Sequence, residues 1–82
     1  MKHKDREFFR DLGWKQFHNN CDNDWHDVST GRYVQISWNQ GVSYWRAIHS
    51  TSGPAARYWI GPRLDCPIAA YVHAELENWG EP

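Results

Sequence analysis

Cysteine, methionine and long apolar runs are all scarce in this chain. Its 82 residues include two cysteines, Cys21 and Cys66, and one methionine. Two thiols are too few for a disulfide scaffold, so a reducing, cytoplasmic setting is the default expectation. No apolar run approaches the roughly 20 residues of a membrane span, and no charged-then-apolar leader marks a secretion signal. Net charge is small as well, −1 at neutral pH. The short patterns of common enzymes are absent: no phosphate-cradling loop, no dinucleotide glycines, no nucleophile elbow. His18-Asn19-Asn20 resembles the letters of a His-Asn-His nuclease, but no ββα-metal unit fits around it. Asp22-Asn23-Asp24 starts like a calcium loop and lacks the later Gly and Glu. An enzyme is not expected, nor is a cofactor.

Aromatic residues are abundant: six Trp, four Tyr and three Phe. A chain this short buries only about 60% of the surface its unfolded state exposes, so bulky rings must supply the core of one domain, 1–82. Charge is unevenly distributed. Residues 32–64 contain Arg32, Arg46, Arg57 and Arg63 with no Asp or Glu, a local balance of +4. Asp22, Asp24 and Asp27 are unopposed in 20–31, as are Asp65, Glu75, Glu77 and Glu81 after residue 64. Such asymmetry makes one surface attractive to polyanions even in a near-neutral protein.

Periodicity gives the elements. Phe8, Phe9 and Leu12 fall at helical spacing before Gly13, which predicts a short N-terminal helix over 4–12. Trp14 and Phe17 continue that contact into an extended segment. The Asn/Asp-dense stretch His18–Asp27 reads as a loop with Trp25 pinned inward. RYVQISWN alternates with period two and puts Val34, Ile36 and Trp38 on the buried side. Gly41 supplies a turn. SYWRAIHS is a second strand of ambiguous parity, and ARYWIG is a third, with Tyr58 and Ile60 inward and Arg57 and Trp59 outward. Asp65 or Cys66 caps a last helix that tolerates Pro67 in its first turn. Its apolar stripe is expected at Ala69, Val72, Leu76 and Trp79, with Gly80 and Pro82 ending it. The expected fold is α+β: a three-stranded antiparallel sheet packed on one C-terminal helix within 31–80, with a short N-terminal helix and loop added by 1–30.

The motif Ser37-Trp38, then Trp45-Arg46-Ala47, then Arg57 with Trp59-Ile60-Gly61, then Ala69-Ala70, resembles DNA-binding domains of the Apetala-two/ethylene-response-factor type. The closest likeness is to the version found in phage and bacterial homing endonucleases and integrase arms. The likeness covers about half the chain and leaves out the first thirty residues. It implies a three-stranded sheet docked in the major groove of duplex DNA, which is wide enough to admit a β-ribbon. The residues it assigns to DNA are Ser37, Asn39, Tyr44, Arg46, Arg57 and Trp59. Ser37 and Asn39 stand where plant-type members carry arginines. Ile48 stands at a usual contact position and His49 at a usual core position, an exchange that a local bulge would produce.

Two further expectations concern partners. His18, Cys21 and His26 are spaced like three zinc ligands, with Cys66, His73 or His3 as a fourth, although a solvated Asn/Asp loop explains the same letters better. The competing function is a protein-binding module, such as a phage-encoded anti-CRISPR or other anti-defence inhibitor. Its acidic patches around Asp22–Asp27 and on the last helix would meet a host nucleic-acid-binding protein.

Overall fold

The computed structural model describes residues 3–19 and 22–81, with only the backbone described at 3, 4, 17–19, 22, 23, 38 and 39. Helix α1 spans His3–Asp11; strands follow at Lys15–Asn19 (β1), Asp22–Asp27 (β2), Arg32–Asn39 (β3), Val42–Ser50 (β4) and Tyr58–Ile60 (β5). Helix α2 covers Pro67–Leu76, and a 3-10 turn covers Asn78–Gly80. The strands form one antiparallel sheet in the order β1-β2-β3-β4-β5. Among the described residues, no helix is long and apolar enough to cross a membrane.

Five strands replace the three expected. The Asn/Asp-rich stretch read as a loop pairs as a hairpin, β1 on β2, and β2 continues the sheet onto β3 through Trp25↔Val34. Turn propensity yields here to tertiary context. Trp25 is fully buried, and the Asp24 carboxylate accepts the backbone N–H of Ile36 at 3.2 Å. A side chain that favours turns by bonding its own backbone instead bonds the neighbouring strand. The β3–β4 hairpin follows the sequence reading. Gln40 and Gly41 both take positive φ, 52° and 82°, the geometry that matches the twist of two paired strands.

Period two assigns the faces. The register aligns Trp25, Val34 and Ala47 on one side of the sheet, and all three are buried. Phe9 of α1 stacks on Trp25 with centroids 5.3 Å apart, and Ala70 and Ala74 of α2 join the same cluster. Both helices therefore lie on this side. Aromatic pairs of this kind add about 0.5–1.5 kcal/mol each beyond their area burial.

The α2 stripe differs from the expected one. Pro67, Ala70 and Ala74 face the sheet, whereas Ala69 and Val72 are exposed and Leu76 is 81% exposed. Small residues win the buried side because they let the helix backbone approach the sheet closely. Trp79 reaches the core by another route. The helix stops at Leu76, and three consecutive residues then take left-handed φ: Asn78 at 54°, Trp79 at 51° and Gly80 at 74°. That turn carries Trp79 back to 1% exposure, against Trp14, Tyr71 and Trp59. Left-handed backbone costs about 1–2 kcal/mol at each non-glycine position, offset by burial of a whole indole.

Strand β5 also reverses its expected parity. Tyr58 and Ile60 are exposed, at 67% and 40%, and Trp59 packs against the core cluster. The His49↔Trp59 register explains this, since His49 shares a face with Ala47. His49 itself is buried on the helix side with no bulge intervening; its Nε2 lies 3.0 Å from the Thr30 carbonyl oxygen, and its Nδ1 lies 3.7 Å from Glu81. The side chains of Phe17 and Trp38, expected inward, lie outside the described residues.

Candidate nucleic-acid interface

The sheet face opposite Trp25, Val34 and Ala47 is formed by the alternate residues of the same strands. One row crosses the sheet through His26, Tyr33, Ile48 and Ile60. Neighbouring pairs on this face are Gln35↔Arg46, Ser37↔Tyr44 and Ser50↔Tyr58. Among the described residues, the helical side chains of the core all join the opposite side. No helix of the described residues covers this face. Ile48 is nonetheless only 2% exposed, hemmed in by its row partners Tyr33 and Ile60.

Arginine and tyrosine gather at one end of the face. After β5 the chain returns to β4 through an isolated bridge between Trp45 and Leu64, with reciprocal backbone hydrogen bonds of 2.6 and 2.7 Å. Leu64 packs against the core cluster as Trp45 does, so its neighbour Arg63 falls beside Tyr44 on the open side. The Arg63 guanidinium lies 4.7 Å from the Tyr44 ring centre, and that of Arg46 lies 5.9 Å from it. Arg46 Nε is buried and has no hydrogen-bond partner among the described residues. The ion pairs shown there join Arg32 and His49 to Glu81 on the helix side, leaving Arg46, Arg57 and Arg63 without a carboxylate partner among the described residues. One tyrosine thus has two cations around it that form no ion pair among the described residues, an arrangement suited to an anion beside a planar group.

The other end of the face is richer in rings. His26 and Tyr33 stack with centroids 4.8 Å apart and planes 4° from parallel. Burial lowers the His26 pKa and so favours the neutral imidazole. Burial also raises the Tyr33 pKa, reinforced by Tyr58 and Asp24 and opposed by Arg46. All three neighbours belong to the same face.

The sequence-derived contact residues divide in two. Ser37, Tyr44 and Arg46 share the open face. Asn39 alternates with them on β3, and its side chain lies outside the described residues. Arg57 is exposed but precedes β5, where its backbone pairs with Thr51 and it alternates with Trp59 rather than Tyr58. Trp59 must be removed from the contact set: its ring stands 6.1 Å from that of Trp79, on the helix side. Tyr33, Tyr58 and Arg63 take its place. Arg63 stands in the acid-free run, but its place beside Tyr44 was not readable, because nothing in Gly61-Pro62 announces the bridge at Leu64.

The expected zinc set is not assembled among the described residues, where no group of three His, Cys, Asp or Glu side chains is placed to hold a metal. Cys21 and the side chains of His3 and His18 lie outside them. His26 is committed to its stack on Tyr33. A shallow depression lined by Val28, Ser29, Thr30, Gly31, Ser50, Thr51 and Ser52 offers hydroxyls but no titratable side chain, and so no acid–base chemistry. No family model, curated protein or solved structure matches this chain.

Proposed function

We propose that this protein binds DNA through the open face of its sheet, as a small phage or bacterial accessory or regulatory factor. The observation that carries this reading is the pair of arginines around Tyr44, neither in an ion pair among the described residues, on a face that no described helix covers. The acid-free run from residue 32 to 64 supports it, since a local excess of cations draws phosphate by releasing its counterions. The Trp45-Arg46-Ala47 motif supports it from the sequence side, since its Arg46 lies on the open face. The test is titration of the full chain with labelled DNA at several salt concentrations. Affinity should fall steeply with salt, and Arg46→Ala or Arg63→Ala should each lower the log–log slope by about 0.7–0.9. No binding at about 50 mM salt, or slopes untouched by both substitutions, would sink the reading.

A second reading attaches to the opposite side of the molecule. Val72 and Leu76 leave apolar surface exposed on α2 beside Glu75 and Glu77. That pattern fits a basic, partly apolar partner, such as a host nucleic-acid-binding protein. Leu76→Asp would abolish capture of such a partner from nuclease-treated lysate and leave DNA affinity intact.

A further inference from the structure

We infer that the form of DNA taken by the open face is the single strand. This rests on the DNA reading above and narrows its substrate. Duplex binding draws its affinity from phosphate neutralisation, roughly in proportion to the number of cationic contacts. The open face supplies Arg46 and Arg63, while the β3 positions alongside carry the uncharged Ser37 and Asn39. Two such contacts make a weak duplex binder.

What the face has in surplus is ring area. Tyr44, Tyr58 and the His26–Tyr33 stack all lie on it. A duplex cannot stack its bases on those rings, because its base faces are already stacked and only base edges reach the groove. An unpaired strand can. Each base stacked on an aromatic side chain strengthens binding roughly five-fold to over a hundred-fold, whatever the base.

The layout suits an extended strand. Tyr44 and Ser50 are six residues apart on β4, and Tyr58 pairs with Ser50. At about 3.3 Å per residue, the strip from Tyr44 to Tyr58 is about 20 Å long. Tyr33, opposite Ile48, stands about 13 Å along it from Tyr44. Arg46 lies between Tyr44 and Ile48 on the same strand, placed to meet phosphate between stacked bases. Ile60, 40% exposed in the next strand, adds apolar surface beside this strip.

The test compares an oligothymidylate with a duplex of equal length, binding each to the full chain and reading fluorescence anisotropy. The single strand should bind at least about ten-fold more tightly. Tyr58→Ala should weaken it by about ten-fold and leave the salt slope unchanged, whereas Tyr58→Phe should bind as the parent does. Tyr58 is 67% exposed, so its removal spares the core. Equal or tighter duplex binding, or a Tyr58→Ala loss under two-fold, overturns the single-strand inference alone. Binding of neither form at about 50 mM salt overturns the DNA reading with it.

Discussion

Trp59 meets Trp79 at an interplanar angle of 66°, with ring centroids 6.1 Å apart on the helix side of the sheet. This contact joins the last strand to the C-terminal turn, and it decides what Trp59 is for. The residue belongs to the core. Trp59→Ala should cost roughly 3 kcal/mol, the low end for a large aromatic because Trp59 is not fully buried. Urea unfolding measures the loss. DNA affinity, taken at a temperature where the variant is folded, should match the parent.

Gly80 lies against the same ring. A Cβ there would collide with Cγ and Cδ1 of Trp59, and its φ of +74° disfavours any L side chain. Gly80→Ala should therefore destabilise by about 2–4 kcal/mol, strain and overpacking together. Thermal unfolding of Gly80→Ala beside Trp59→Ala tests the coupling. In the double variant the contacts with Cγ and Cδ1 are gone while the 2.8 Å approach to Cβ remains, so the two single losses should sum to more than the measured one.

Asp24 tests whether the Asn/Asp-rich stretch is held as a strand in the way described. It is 5% exposed and accepts the Ile36 N–H across β2 and β3. Asp24→Ala should cost about 1–3 kcal/mol, the penalty for leaving a partly buried donor unpaired. Asp24→Asn keeps an acceptor oxygen and should cost less. Hydrogen exchange at the Ile36 amide should accelerate more in Asp24→Ala than at the amides of β4.

Stability should fall on both sides of neutrality, for separate reasons. The His26 pKa is lowered from 6.5 by burial, so the unfolded chain takes up that proton first. Stability is then lost as pH falls below about 6.5, and His26→Phe should remove that part of the acid limb. Tyr71 is pushed up to about 12, by burial first and then by its hydrogen bond to Glu75. The unfolded tyrosine ionises near 10, so stability declines as pH rises from about 10 toward 12. Tm measured across both ranges, with Tyr71→Phe as the alkaline control, checks the signs.

The sequence made some of this legible and hid the rest for identifiable reasons. The β3–β4 hairpin could be read because period two and a Gln-Gly turn agree with each other. Helices α1 and α2 could be located by spacing and by Pro67. The face of α2 could not, because Val72 and Leu76 form as regular a stripe as Ala70 and Ala74; apolar size suggests the first, and close backbone approach selects the second. Strands β1 and β2 were hidden by side chains whose local preference is for turns. The parity of β5 depends on its register with His49, a polar residue in the core that apolar patterning cannot identify. Of the open face, the placing of Ser37, Tyr44 and Arg46 on one side of the sheet was readable from the sequence. Arg63 was not, because its placement follows from a bridge between residues 45 and 64.

That bridge also shapes one edge of the sheet. A sheet with one bare face rich in rings risks recruiting copies of itself along an unpaired edge. Here the outer side of β4 is not left as one long free edge. It is occupied near its end by β5, only three residues long, and near its start by Leu64, with Pro62 between them. Proline has no N–H to offer an incoming strand, and Arg63 adds a charge beside the short pairing. The same few residues that carry Arg63 to Tyr44 also break the β4 side of the sheet into short pieces, leaving no continuous template there for an incoming strand.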